Sequence, residues 1–294
     1  MSESHLIFDR RLLRLRRDRA AGTQHSVAPV LETVAERMLD RLDDTTHRFA
    51  RALDIGGRGI VAPALRARGI ASVVSMDLSA RQAASAGNPA LAGDEEWLPF
   101  APGSFDLVIA NLCLHWVNDL PGALVQLRRA MAPDGLFLAT LPALGTLQPL
   151  REALTAAELG LRAGASPRVS PFPELRDGAA LLQRAGFALP VADVEDIALA
   201  YRAPLSLLRD LQAAGEGSAL RARDGRIPPR ELFPLALGEM PVGPDGTPVT
   251  LRLLTLTGWS PGPDQPKPAP RGSANARLAD ALGAKEHGSG EKPG

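Results

Sequence analysis

The apolar positions fall first into a helical period. Val27, Val30, Leu31, Val34, Met38 and Leu42 recur at spacings of three and four, which predicts an amphipathic helix. The period then changes. Residues 50–55 read as a short buried strand followed by glycines. Residues 71–76 read as a second strand ending at Asp77, 105–113 as a third and 136–141 as a fourth. Between the last two, Leu120, Ala123, Leu124, Leu127, Ala130 and Met131 follow the i, i+3, i+4, i+7 pattern of a helix with one apolar face. Pro133, Asp134 and Gly135 then supply the helix stop and a turn. Strands alternating with helices predict an α/β fold, a parallel sheet with crossover helices. Ligands in such sheets sit beyond the carboxyl ends of the strands, so the informative residues are those just after each strand.

The flanks read differently. Residues 1–24 are polar and Arg-rich, with Arg10, Arg11, Arg14, Arg16, Arg17 and Arg19 around Leu12, Leu13 and Leu15. Two readings stand: a solvated helix, or a functional arm acting as a lid or a docking segment. A targeting peptide has a similar look, but Asp9 and Asp18 argue against it. Residues 144–185 read as helices broken near Ser166-Pro167 and at Pro171-Phe172-Pro173. Residues 187–201 and 249–259 read as two late strands, with helical candidates at 205–214 and 229–240 between them. Beyond Ser260 the chain turns to Pro, Gly, Lys and Ala, which predicts a flexible tail over 261–294 with a turn of helix at 275–282.

Composition narrows the function classes. The 294 residues are 45% hydrophobic, enough for a sizeable core, and no apolar run is long enough for a transmembrane helix. Lys plus Arg equals Asp plus Glu, 33 against 33, which leaves no net positive field to hold nucleic acid. Aromatic residues are scarce at 4%, so stacking platforms for single strands are not expected either. Cys113 is the single cysteine, which excludes an internal disulfide framework and a cysteine-rich zinc site. A reducing, cytoplasmic setting fits that usage.

Four segments carry candidate chemistry. The first is Asp54-Ile55-Gly56-Gly57-Arg58-Gly59, after a strand and before a helix. Glycines there suit a plain tight turn, or a backbone that approaches a ligand closely. The acid ahead of them favours a ligand with positive charge over a pyrophosphate. The second is Asp77, which can accept both hydroxyls of a ribose or cap the following helix. The third is Gly93-Asp94-Glu95-Glu96-Trp97-Leu98-Pro99-Phe100, where Asp94 suits an exocyclic amine and Trp97 and Phe100 read as core. The fourth runs from Ser104 to Trp116 and sets Asn111 and His115 at the mouth, as candidate catalytic groups or as structural ones, with Cys113 read as buried.

Together these segments resemble the class I S-adenosylmethionine methyltransferases, in the type 11 group. The resemblance implies a Rossmann-like seven-stranded sheet with helical cap insertions, its last two strands supplied by 187–201 and 249–259. It implies S-adenosylmethionine as cofactor. Asp54 with Gly56, Gly57 and Gly59 would hold the methionine end, Asp77 and Leu78 the ribose, and Asp94 and Glu95 the adenine, with Asn111 beside them. It divides the chain into an N-terminal arm and helix (1–49), a cofactor-binding domain with its cap (50–260) and the tail (261–294).

A narrower set of motifs resembles the complex I assembly-factor family, whose mitochondrial members hydroxylate an arginine of a complex I core subunit. It comprises Ile7-Phe8-Asp9-Arg10, Leu114-His115-Trp116-Val117-Asn118-Asp119-Leu120-Pro121, Ser170-Pro171-Phe172, Arg184-Ala185-Gly186-Phe187, Asp210-Leu211-Gln212 with Gly215-Glu216, Gly258-Trp259 and Pro270-Arg271-Gly272-Ser273-Ala274. That resemblance implies a protein substrate, a respiratory complex I subunit, and peripheral association at the inner face of the respiratory membrane. Two alternatives stay open: methylation of a carrier-bound or small-molecule acid, as in biotin synthesis, and a non-catalytic assembly factor that binds S-adenosylmethionine. The glycine loop is one residue shorter than the acid-x-Gly-x-Gly-x-Gly pattern of the wider family. None of the five histidines begins an H-x-D or H-x-E triplet, so no metal site is expected.

Overall fold

The computed structural model describes residues 6–162, 164–263, 265 and 283. The tail expected at 261–294, with its turn of helix at 275–282, falls almost wholly outside them. The chain runs α1 (Arg10–Ala20), α2 (Ala28–Asp40), β1 (Arg51–Ile55), α3 (Val61–Ala67), β2 (Ser72–Asp77), α4 (Ala80–Ser85), β3 (Ala90–Ala92) and β4 (Phe105–Asn111). It continues α5 (Leu120–Ala130), β5 (Met131–Pro142), α6 (Gln148–Leu161), α7 (Leu175–Arg184), β6 (Ala188–Tyr201), α8 (Pro204–Ala213), α9 (Leu232–Gly238) and β7 (Thr247–Trp259).

The seven strands form one sheet in the order β3-β2-β1-β4-β5-β7-β6. The first five run parallel, and β7 lies antiparallel to both β5 and β6. The expected α/β class, the seven strands and the two late strands are all present. The fourth expected strand is longer than its apolar run. The Pro133–Asp134–Gly135 turn lies inside β5, where pairing with β4 shifts register between Phe105 and Leu107.

Alternation along the central strands feeds two cores. Val108 and Ala110 of β4 pack with Leu53, Ile55 and Leu124 on one face. Leu107 and Ile109 pack with Ala52, Leu65 and Met38 on the other. Strands covered on both sides read as continuous apolar runs, which is why β1 and β4 were visible in sequence. A third cluster, of Leu150, Leu154, Leu207, Leu232 and Val249, joins α6, α8 and α9 over the far part of β7. This is the helical cap.

Candidate active site at the carboxyl edge of the sheet

Because β1, β2 and β4 are parallel, their last residues finish on one edge. Asp54 lies opposite Ser75 of β2 and Ile109 of β4. Its side chain is buried, and Oδ2 accepts the Ser75 hydroxyl at 3.2 Å. Oδ1 has no partner among the described residues. Burial pushes this carboxyl up to about 7, against the Ser75 hydrogen bond and with help from the charge of Asp77. The loop that follows folds back over it. A Cβ on Gly57 would stand 2.1 Å from Asp54 Oδ1, and one on Gly56 would stand 2.7 Å from the Cβ of Cys113. In the shortened turn Arg58 takes a left-handed conformation, φ 53°.

Asp77 ends β2, also buried. Its Oδ1 accepts the Ser79 N–H at 2.8 Å, and its Oδ2 accepts from Arg17 Nη1 at 3.1 Å. The cap of α4 is Ser79, whose hydroxyl accepts the Gln82 N–H, so Asp77 is not the helix cap. Glu95 is buried, faces Arg17 at 3.4 Å and pairs with Arg10. Asp94 is half-buried and pairs with Arg10 at 2.6 Å. Leu78 packs beside Phe8, Leu13 and Trp116. Residues 10–20 are therefore not a solvated helix: Leu13, Arg17 and Ala20 are buried, and two arginines reach into the acids.

Beyond β4 the chain makes a tight turn. Asn111 is buried, its Oδ1 without a partner among the described residues, and Leu112 has φ 47°. Cys113 is buried, as its sequence setting implied; burial raises its thiol well above the usual range. His115 follows, its Nε2 2.9 Å from Glu216 Oε2. Glu216 also accepts the Trp116 indole N–H at 2.9 Å and a pair from Arg58. Desolvation works against its charge, yet Arg58 and His115 hold this half-buried carboxylate well below the ordinary glutamate range. An ionised carboxylate only accepts, so His115 Nε2 carries its proton. Burial keeps the His115 pKa below its usual value, against the pull of Glu216. The ring is then neutral at physiological pH with a lone pair on Nδ1, which has no partner among the described residues.

His115, Glu216 and Arg58 line a cavity of about 1160 Å³. Its walls come from the cap, with Leu147, Leu154, Phe172, Leu208 and Phe233 among them. Residues within 142–172 and 199–233 thus supply most of the cavity wall.

Of the residues picked from sequence, Asp54, Gly56, Gly57, Asp77, Glu95 and Asn111 share this edge, and Asp94 lies at its rim. Gly59, φ 79°, faces Ser85 of α4. His115 lines the cavity and pairs with Glu216. Phe100 packs edge-on to Phe105 as core. Trp97 does not: it is 72% exposed, at the end of a turn in which its N–H bonds to the carbonyl of Asp94. Glu216, Arg58, Arg10 and Arg17 join the site without a sequence signal for that role. Glu216 stands in the Gly215-Glu216 motif, but nothing local ties it to a histidine 101 positions away.

Comparison with known proteins agrees with this geometry. Residues 53–139 match the family model "Methyltransferase domain". The chain is 36% identical to the arginine-hydroxylase NDUFAF5, mitochondrial, of Danio rerio, over 93% of this chain and 89% of that one. It is 35% identical to the human protein of that name, over 93% of this chain and 83% of that one. Malonyl-[acyl-carrier protein] O-methyltransferase of Laribacter hongkongensis is 36% identical over 73% of this chain and 76% of its own. Among solved structures, the YcgJ protein of Bacillus subtilis superposes with a TM-score of 0.51 at 15% identity, covering 77% of this chain and 99% of that one, a likeness of fold. Sheet order, glycine loop and identity over nearly the whole length make this a methyltransferase-fold enzyme whose cofactor is S-adenosylmethionine, and the chain belongs to the NDUFAF5 arginine-hydroxylase family.

Proposed function

We propose that the chain modifies a protein subunit during assembly of respiratory complex I, and that the acceptor side chain enters the cavity beside His115. The observation that carries this reading is the extent of the identity. It runs over 93% of the chain, so it includes the cap that walls the cavity as well as the cofactor edge. The reading also places the protein in the cytoplasm, at the inner face of a respiratory membrane. Among the described residues no helix is long and apolar enough to cross one.

The residues at the edge suit the cofactor. The buried, unpartnered Oδ1 atoms of Asp54 and Asn111 are acceptors waiting for a donor, which an ammonium group supplies. Gly56 and Gly57 leave no space for a Cβ. Asp77 with Leu78 would take the ribose, and Asp94 with Glu95 the adenine. When bound, S-adenosylmethionine supplies a methyl group on a cationic sulfonium. The chain's own part is positioning and proton handling. His115 is the candidate base at Nδ1, and Glu216 fixes its tautomer through Nε2.

Mass spectrometry of complex I subunits from wild-type and deletion cells tests the proposal. A subunit that gains one oxygen atom only when the gene is present supports hydroxylation, and one that gains a methyl group supports methylation. Failed assembly with neither change points to a docking role without catalysis. Normal assembly with unmodified subunits refutes the proposal and favours a carrier-bound acid as acceptor, the chemistry named for the Laribacter relative.

A further inference from the structure

Arg10 and Arg17 are seven residues apart, about two turns of α1, and so share a face. That face lies along the acids of the cofactor edge. Arg17 is 1% exposed. Its Nη1 reaches Asp77 Oδ2 at 3.1 Å and Glu95 Oε1 at 3.4 Å, and its Nη2 reaches the Leu112 carbonyl at 3.4 Å. With Ser79 on the other oxygen, both oxygens of Asp77 are engaged and its side chain is only 3% exposed. No ribose reaches this carboxylate while Arg17 holds it.

The surroundings match a site covered rather than filled. A recess of about 260 Å³ opens at Leu78 and Asp94, on the adenine side. The large cavity opens at Leu112 and Arg58. Arg17 bonds to Leu112 of the one and to Glu95, beside Asp94, of the other, and lines neither. Arg17 Nε and, beside it, Gln82 Oε1 are buried without partners among the described residues, as are Asp54 Oδ1 and Asn111 Oδ1 at the ends of β1 and β4. Such orphans are disfavoured and are relieved by a polar ligand.

The start of α1 is tied to the cap. Asp9 N–H donates to the Ala219 carbonyl and Arg221 N–H to the Ile7 carbonyl, both at 2.8 Å, and Arg223 pairs with Asp9 at 3.3 Å. The far end turns at Gly22, where the chain passes into a short 3-10 turn at Gln24–Val27. Arg16, Arg19 and Arg223 also line the acceptor cavity.

We propose that α1 is a displaceable cover: the Arg17 guanidinium and the adenosyl ribose compete for Asp77, so cofactor entry lifts α1 together with the cap segment 219–223. Cofactor occupancy and access to the acceptor cavity are thereby coupled through one helix. This rests on the cofactor reading given above.

Two measurements on the full chain test it, with S-adenosylhomocysteine as the probe. First, amide hydrogen exchange of residues 10–20 is followed with and without the probe. The cover predicts exchange faster by about tenfold or more in the bound state, since a lifted helix opens locally. Second, probe affinity is measured by calorimetry for wild type and Arg17→Met, which keeps the apolar stem and removes the competing charge. The variant binds about tenfold tighter or better. Binding with slowed or unchanged exchange in α1 and no gain in Arg17→Met overturns the cover and leaves the cofactor reading standing. No binding by either folded protein overturns both. If Arg17→Met fails to fold, exchange in the wild type decides alone.

Discussion

Glu216 is the acid on which most of the cavity floor depends, and its removal has a calculable consequence. In Glu216→Ala three donors lose their acceptor: Arg58, His115 Nε2–H and the Trp116 indole N–H. The Arg58 side chain is 2% exposed; among the described residues it keeps only the Leu112 carbonyl at 3.2 Å, and its Nη1 has no partner. Stripping one partner from a buried ion pair costs about 3–5 kcal/mol, because the remaining charge stays buried. The two neutral donors add about 1–3 kcal/mol each if they stay dry. Relaxation and water entry make these costs less than additive, so the expected loss is about 3–5 kcal/mol. Against a typical stability of about 5–15 kcal/mol that is a large share. With an m-value of about 3 kcal/mol/M in urea, the midpoint drops by about 1–1.7 M. Urea titration followed by far-UV circular dichroism reads the shift. The double variant Arg58→Met, Glu216→Leu removes both charges and recovers more than half of it. A Glu216→Ala midpoint within about 0.3 M of wild type would refute the argument, as would a double variant no better than the single one.

Other outcomes follow from the same geometry. Asp54 has a carboxyl near 7 in the fold against 3.8 when free, so the fold keeps a proton that the unfolded chain has released. Stability of the cofactor-free protein therefore falls as pH rises from about 4 to about 7, and Asp54→Asn flattens that slope in denaturation curves. Over the same window S-adenosylhomocysteine affinity rises with pH, by at most about tenfold per unit, and the slope vanishes in Asp54→Asn; a pH-independent wild-type affinity contradicts this. Gly57→Ala would place a methyl on Asp54 Oδ1, so it loses cofactor affinity and about 1–3 kcal/mol of stability, read by calorimetry and thermal melts. Nitrogen NMR of His115 should find the proton on Nε2 and none on Nδ1 at neutral pH, and the opposite tautomer would remove it as the base.

The fold was legible because its central strands are buried on both sides. An unbroken run such as Leu107-Val108-Ile109-Ala110 has no other economical reading between two turn signals. The acids were legible for a related reason: a carboxylate just past such a strand has nowhere to go but the sheet edge. Three features escaped. Trp97 read as core because a tryptophan beside Leu98 and Phe100 suggests burial, yet its turn holds it outward. The arginines of α1 left two readings open, a solvated helix or a functional arm, because their partners lie 60 to 85 positions away. Glu216 follows Gly215, φ 76°, in a stretch without period, and its role exists only once the cap folds back over His115. Long-range charge pairing leaves no periodic trace in a single sequence, whereas burial does.

In the proposed function, the buried acids at the ends of β1 and β2, with the rim acid after β3, hold an adenosyl cofactor whose reactive end faces the cavity at His115. A crystal structure of the chain with S-adenosylhomocysteine addresses it most directly. The expected density has ribose hydroxyls on Asp77, the adenine beside Asp94 and Glu95, the methionine end at Asp54 and Gly57, and the sulfur turned toward His115. Ligand density elsewhere on the protein, or Arg17 still seated on Asp77 with the probe bound at this edge away from that carboxylate, would contradict it.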